Sequence, residues 1–424
     1  MKNIILLIFL VTLLYSCERE PVLEYTTYKQ DISAQIAEAN LKKFPLEILW
    51  HAPLNFDSTE NYNFNITSKV FLNGDDLAVF YDENRYHYLN RINGENLKNK
   101  KLSLAYSNSL NYHLQVGGII ASHNRIVSVD KFGNETLLYN VPDSVSIFSK
   151  NNLHGDDYYF LHFNYIQATS GLYKLNIINH GCELISHIDA KKMWGDSYVG
   201  LISVPIFFKI NGEEFVLNNY SKGLEPFINY TTYTTCTRIS DGAVMWQKDN
   251  LFAVDQNHLF VHKNDIILNG GKNICKVSMA TGDKVWEILP ESQGHYSPND
   301  IDAYGGKILN DKLLFISNNK FKELDLNSGS IIYSGPSIID DYQNPELVIA
   351  NQFAYWVGSA EGKSYLFAIK ISDHSIIVMA KSPYYSIDPY KSNAVFSDGC
   401  LILDPDQNLG YISDGYFIYC IKLL

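Results

Sequence analysis

One short pattern returns along this 424-residue chain and limits what it can fold into. An apolar strand runs into a tight turn containing glycine, and a second strand follows with an aromatic residue near its start. Cys275-Lys-Val-Ser-Met-Ala-Thr-Gly-Asp-Lys-Val-Trp286 and Thr237-Arg-Ile-Ser-Asp-Gly-Ala-Val-Met-Trp246 are the clearest copies, and Glu323-Leu-Asp-Leu-Asn-Ser-Gly-Ser-Ile-Ile-Tyr333 keeps the form with tyrosine. In each the aromatic lies four residues past the glycine: Trp246 after Gly242, Trp286 after Gly282, Tyr333 after Gly329. Glycine supplies the positive φ that such a turn demands, and the aromatic is expected to cover the side of a neighbouring unit.

Weaker copies appear at Tyr88–Gly94, Val129–Gly133, Tyr173–Gly181 and Leu366–His374. His374 stands where the others have glycine, so the turn there is expected to be less regular. The turn positions 94, 133, 181, 242, 282, 329 and 374 recur every 39 to 61 residues, room for four short strands each. That period marks the blades of a propeller. Phe417–Leu423 reads as a strand before a turn with no turn after it, and Leu46–Trp50 as a strand after a turn with no partner before it. Together they supply an eighth blade, closed by pairing the two ends of the chain. The expected fold is therefore all-β, a single eight-bladed β-propeller over residues 44–424. Thirty tyrosines, 22 phenylalanines and only 19% charged residues suit many short strands.

The turns Arg238-Ile-Ser-Asp-Gly242, Ser278-Met-Ala-Thr-Gly282 and Asp325-Leu-Asn-Ser-Gly329, each followed by a strand ending in an aromatic, resemble the Asp-x-x-Thr-Gly and Trp pattern of the pyrroloquinoline-quinone-like repeat family, most strongly in blades four, five and six. A lipoprotein signal followed by eight such blades is similar to the BamB-type outer-membrane lipoproteins. The resemblance implies a propeller in the cell envelope and a scaffold role in outer-membrane protein assembly. Fold likeness alone leaves the partner open. A cell-surface lipoprotein binding a ligand or glycan is the alternative.

The signal is read from residues 1–16: Lys2, an apolar run from Ile4 to Leu14 too short to span a bilayer, then Tyr15-Ser16-Cys17. Leu14 and Ser16 before Cys17 resemble a lipobox, from which bulky Tyr15 departs. Cys17 is thus the expected lipidation site, and membrane attachment through its acyl chains is the expected anchor. Residues 17–43 form the linker. Ile32, Ile36, Ala39 and Leu41 are spaced for a short helix within it. The formal charge of −12 and the absence of a basic stripe argue against nucleic acid. A monomeric propeller facing the periplasm or the cell surface, with a protein partner in the envelope, is expected.

Quinoprotein dehydrogenases share the repeat, and catalysis is the first rival. They resemble one another in an adjacent cysteine pair and a calcium-ligand set, and neither can be matched here, so neither cofactor nor metal is expected. Cys182, Cys236, Cys275, Cys400 and Cys420 show no metal-binding spacing. His258 and His262 fall in a strand pattern that keeps them from sharing an ion. Asp404-Pro-Asp-Gln-Asn408 echoes a calcium loop but lacks its glycine and bidentate glutamate, so it reads as a polar turn. A hairpin centred on Gly410 would place Cys400 opposite Cys420.

The binding face is sought on the rim away from the glycine turns, where the connections between blades emerge. The extra length before the fourth turn, at 189–198 and 218–230, carries Trp194, Tyr198, Tyr220, Phe227 and Tyr230. Other connections on that rim carry Tyr296, Tyr342, Tyr384, Tyr385 and Tyr390. Aromatics on loops offer large, stiff contact area to partners.

Overall fold

The computed structural model describes residues 41–54, 68–81, 85–103, 110–121, 124–140, 145–148, 153–164, 169–189, 198–201, 205–225, 228–249, 251, 258–270, 273–289, 303–317, 320–336, 345–360, 363–383, 396 and 399–424. The signal, Cys17 and most of the expected linker helix lie outside them.

Eight antiparallel sheets follow one another along the chain, each with four successive strand positions. Blade one, for example, runs Ser68–Asn73, Asp76–Tyr81, Arg85–Asn90, Asn96–Lys101. In blades three and four the first position is split into two short pieces that pair with the same second strand. Blade eight joins the ends as the repeat requires: Ile48–Pro53 pairs with Phe417–Lys422, which pairs with Leu409–Ser413, which pairs with Leu401–Asp404. Trp50 stands opposite Cys420. Closure removes the open sheet edges that make β proteins aggregate.

The core lies between blades. Seven apolar clusters each span two neighbours, such as Ile206, Leu217, Trp246, Ile266 and Val277 across blades four and five, and Leu77, Val79, Tyr411 and Ile418 across blades eight and one. Second strands are buried on both faces, so Gly117–Ala121 and Lys312–Ser317 read as nearly continuous apolar runs. Each of the eight outermost strands also carries one β-bulge against the third strand. A bulge sharpens local twist and re-aims the residue that follows it. That residue is Trp50, Trp246, Trp286 or Tyr333 in the blades with the strong motif.

Each tryptophan lies on the turn of the next blade. Trp50 Nε1 donates to the Arg91 carbonyl (3.2 Å), Trp246 Nε1 to Met279 (2.9 Å) and Trp286 Nε1 to Leu326 (3.2 Å), always three residues before the turn glycine. A Cβ on Gly94, Gly282 or Gly329 would meet the indole at 2.5–2.7 Å. These glycines thus serve both a positive φ and a close approach. The motif's acidic or amide residue caps the same turn: Asp325 Oδ1 accepts from the Asn327 and Ser328 amides, and Asn90 Oδ1 from those of Ile92 and Asn93.

Three expectations are corrected. In blade three the left-handed position is His180 (φ 61°), whose amide bonds the Asn176 carbonyl as Gly94 bonds Asn90. Gly181, read as the turn glycine, comes one residue later. His374 keeps the regular turn, with φ 60° and its amide on the Lys370 carbonyl. Tyr333 stacks on its ring at 3.6 Å, so an aromatic pair replaces the indole over glycine. Finally, Cys400 and Cys420 do not face each other. The chain turns at 405–408 and again at 413–416, and Gly410 lies within the strand between. Cys400 packs in the cluster of blades seven and eight, Cys420 in that of blades eight and one, and no disulfide joins them. Gly410 is small because Ile421, Leu423 and Leu403 press on it, not because the chain reverses there.

Candidate binding surfaces

Strand direction gives the ring two different rims. The first hairpin and the glycine turn of each blade share one, tied by Arg91 N–H to the Asp75 carbonyl, Ile239 to Glu214, Leu326 to Asp311 and Ile371 to Gln352. The connections between blades and the hairpins of the two middle strands form the other.

On the turn rim, polar groups latch neighbouring blades. His113 Nε2 lies 3.2 Å from Asp156, His154 Nε2 3.4 Å from Glu214 and His262 Nε2 2.7 Å from Asp311. In every case the histidine ends the first strand of one blade and the carboxylate belongs to the first hairpin of the next. Asn211 to Asn264 and Asn351 to Asn408 repeat the tie with amides. At the seam, Arg91 Nη1 donates to Asp404 Oδ2 at 2.9 Å. Asp404 is thereby committed to the ring closure, and its loop is a plain turn.

Two buried charges are paired as well, chiefly within their own blades. Lys276 reaches Asp265 at 3.1 Å and sits 3.4 Å from His262 Nδ1, while Glu323 takes Lys312 at 2.8 Å and His374 at 2.9 Å. Lys276 and Glu323 occupy the same place, opposite Trp286 and Tyr333, with the sign of the pair reversed from one blade to the next. His258 is buried beside the Tyr304 ring. Burial pushes the Cys236 and Cys275 thiols up to about 12, so neither is a ready nucleophile. Asp414, wholly buried, collects the Tyr416 and Phe417 amides and the Ser382 and Tyr419 hydroxyls. It holds the middle hairpin of blade eight to the end of blade seven. These groups act as structural ties. Among the described residues no His, Cys, Asp and Glu gather as metal ligands.

The other rim is where the sequence leads us to expect the aromatic face. Trp194, Phe227, Tyr296, Tyr342, Tyr384, Tyr385 and Tyr390 lie outside the described residues. Tyr198, Tyr220 and Tyr230 fall in strands, which corrects their reading as loop residues. Glu213–Glu225 and Ile228–Arg238 form one long hairpin whose ladder continues to the pair Glu225–Ile228. Tyr198–Leu201 pairs along its outer part, with Tyr198 opposite Gly223. The run 218–235, rich in Asn, Tyr and Thr, lacks the apolar period that flags a strand. The arm extends about 26 Å beyond Leu217 at roughly 3.3 Å per residue. The fourth strand, Val244–Asp249, reaches back only to Tyr233, so the ladder between them stops there.

A second surface was missed by sequence reasoning. Ile92, Leu114, Phe132 and Ile178 are exposed, by 73, 72, 57 and 47%, at turns of three successive blades on the turn rim. Ile92 and Ile178 occupy matching turn positions, held by the Asn90 and Asn176 caps. The same position in blades four to seven holds Ser240, Ala280, Asn327 and Ser372. Only an alignment of the turns themselves could have shown this division.

No protein-family model matches the chain, and no curated protein matches it. Solved structures do. BamB from Moraxella catarrhalis aligns over 89% of this chain and 100% of its own, with TM-score 0.53 and 12% identity. The computationally designed Ika8 protein aligns over 89% and 99%, with TM-score 0.52 and 11% identity, and Saccharomyces cerevisiae Sqt1 over 89% and 99%, with TM-score 0.51 and 7% identity. At such identities the likeness is one of fold: the chain is an eight-bladed β-propeller, similar in architecture to BamB.

Proposed function

We propose that this protein is a non-enzymatic scaffold, lipid-anchored through Cys17 in the outer membrane, that binds a protein partner in the cell envelope on the rim opposite the glycine turns. The long hairpin of blade four carries the reading. A strand pair of 13 and 11 residues extends past a ring whose other strands, among the described residues, run to eight or fewer. Its third strand continues from Tyr233 back to Ile228 beyond the end of the fourth, and a partner's extended segment can add to such an edge. Trp194, Phe227 and Tyr385 lie outside the described residues, and the sequence leads us to expect them on the same rim. Lys276, Glu323, Asp404 and Asp414 are each committed to ion pairs or hydrogen bonds within or between blades, which supports a binding role over a catalytic one. Resemblance to BamB suggests outer-membrane protein assembly as the setting.

The test is a charge scan. Trp194, Phe227 and Tyr385 are each changed to Glu, folding is checked by circular dichroism, and partner capture is measured from detergent-solubilised membranes. Loss of β-barrel assembly proteins from at least one folded variant is expected. Unchanged capture by all three moves the site off this rim. Anchoring is checked separately, by the mass of acylated Cys17 and by the membrane fraction of a Cys17→Ala variant.

A further inference from the structure

We infer that the exposed apolar arc on the turn rim, formed by Ile92, Leu114, Phe132 and Ile178, docks on the lipid surface to which the chain is tethered. The inference rests on the anchoring proposed above. Two observations carry it together: what the arc presents, and where the chain joins the ring.

The arc is made of single apolar side chains at the tips of turns, not of a continuous groove. Three of the four tips are held from below by cap hydrogen bonds to their own amides, so they do not fold inward. The Asn90 and Asn176 caps fix Ile92 and Ile178, and Asp130 Oδ1 accepts the Phe132 amide at 2.8 Å. The Lys131 ammonium lies 5.2 Å from the Phe132 ring centroid. Rigid apolar tips of this kind can enter the headgroup boundary without any backbone change, and each adds buried apolar area.

The chain reaches the ring from the same rim. The third strand of blade eight ends there, with the Leu423 amide on the Asn408 carbonyl of the first hairpin and the Lys422 amide on the Glu47 carbonyl. Leu41, Phe44 and Leu46 pack beside this point against the cluster of blades seven and eight. Cys17 precedes Leu41 by 24 residues in the sequence, so an anchor there lies within a chain's maximum reach of about 85 Å of this point. An acyl anchor within that reach keeps the turn rim near the bilayer and raises its effective concentration there. The turn rim then lies on the membrane, and the blade-four arm points away from it toward a partner.

Charge sets the lipid preference. On the turns of the arc Asp75, Glu95 and Asp156 stand exposed, Asp75 3.6 Å from Arg91 and Asp156 3.2 Å from His113, and Lys131 is exposed beside Phe132, so the acids still outnumber the lysine and arginine. Docking is therefore by apolar insertion and is favoured on zwitterionic lipid over anionic lipid.

The experiment uses the full chain with Cys182→Ser, since Cys182 is an exposed thiol. An environment-sensitive dye is placed at Phe132→Cys, and in a second protein at Lys98→Cys on the exposed outer strand of blade one. Both are reconstituted in phosphatidylcholine vesicles containing doxyl-labelled lipid. The expected result is a blue-shifted, quenched dye at 132 and an unquenched dye at 98. Ile92→Asp with Ile178→Asp should reduce quenching at 132 about tenfold, and replacing half the lipid with phosphatidylglycerol should also weaken it. An unquenched dye at 132 in a protein whose mass shows acylated Cys17 overturns the docking and leaves the anchor standing. If the mass shows no acyl group, the protein is added to preformed vesicles. Quenching at 132 then supports the docking while the anchor falls, and its absence overturns both. Dimers in sedimentation with the dye shielded from lipid assign the arc to a second copy of the chain and overturn the proposal.

Discussion

The turn glycines do two jobs that a single substitution can separate. Gly242 has φ +71° with nothing within 4 Å of where a Cβ would lie, whereas a Cβ on Gly282 (φ +72°) would meet Trp246 at 2.7 Å. Gly242→Ala should therefore cost about 1 kcal/mol, the backbone penalty alone. Gly282→Ala should cost roughly 2 kcal/mol more through overpacking against the indole. Combining it with Trp246→Ala should remove that excess, which urea unfolding of the four proteins will show. Equal losses at both glycines would mean that the indole yields. His87 offers a second residue-scale test. It is fully buried on the third strand of blade one, and burial lowers its pKa from 6.5 to about 4. The native state disfavours the charged ring, so stability is complete above pH 6.5 and falls as pH drops from there to 4. The loss reaches roughly 3 kcal/mol. His87→Leu should flatten that part of the pH profile in urea midpoints between pH 7 and 4.5, and an unchanged slope would place the acid sensitivity elsewhere.

At the scale of elements, blade eight depends on strands from both ends of the chain. Deleting residues 418–424 removes most of its third strand, leaving Ile48–Pro53 without a partner and the Tyr411 and Leu77 faces of the seam uncovered. Arg91 and Asp404, 13 and 10% exposed, would lose their fixed geometry as well. The truncated protein should show no cooperative thermal transition by circular dichroism. Melting like the intact protein would show that the ring is stable without closure. The outer-strand bulges belong to this scale too. They explain why the aromatic comes four residues past the glycine: the bulge adds one residue, and the side chain beyond it swings toward the next blade instead of to solvent.

At the scale of the molecule, the break in the ring is a missing turn. Trp50 opposes Cys420 in the register in which Trp246 opposes Cys236. By that alignment two residues, the second in the place of Gly242, would join Leu424 to Glu47. A permutant with Asp-Gly at this join, opened within 290–302, should remain a monomeric ring that melts in one transition. Its melting point should fall by about 5 °C, because Leu46 leaves the cluster of blades seven and eight. Aggregation, or loss of β signal, would show that the position of the break is part of what specifies the fold.

The repeat was legible because it is local chemistry. A glycine at positive φ, an Asx cap and an aromatic past the bulge act within a dozen residues, and their spacing counts blades directly. Closure was legible because two half-motifs sat at the ends. The all-β class, the eight blades and the strand that pairs with Trp50 could therefore be read from the chain alone. Where glycine was the only cue, reading went astray: Gly410 is small for packing, and the blade-three turn places His180 where glycine was expected. The arm of blade four escaped because a run rich in Asn, Tyr and Thr carries no apolar period. Which residues share a rim depends on how the blades are placed around the ring, and no local pattern carries that. Ile92, Phe132 and Ile178 are each ordinary exposed residues in the chain, and they become one surface because successive blades repeat the same turn at the same height around the ring. The histidine latches arise the same way, from positions 43 to 60 residues apart that strand direction brings to one circle.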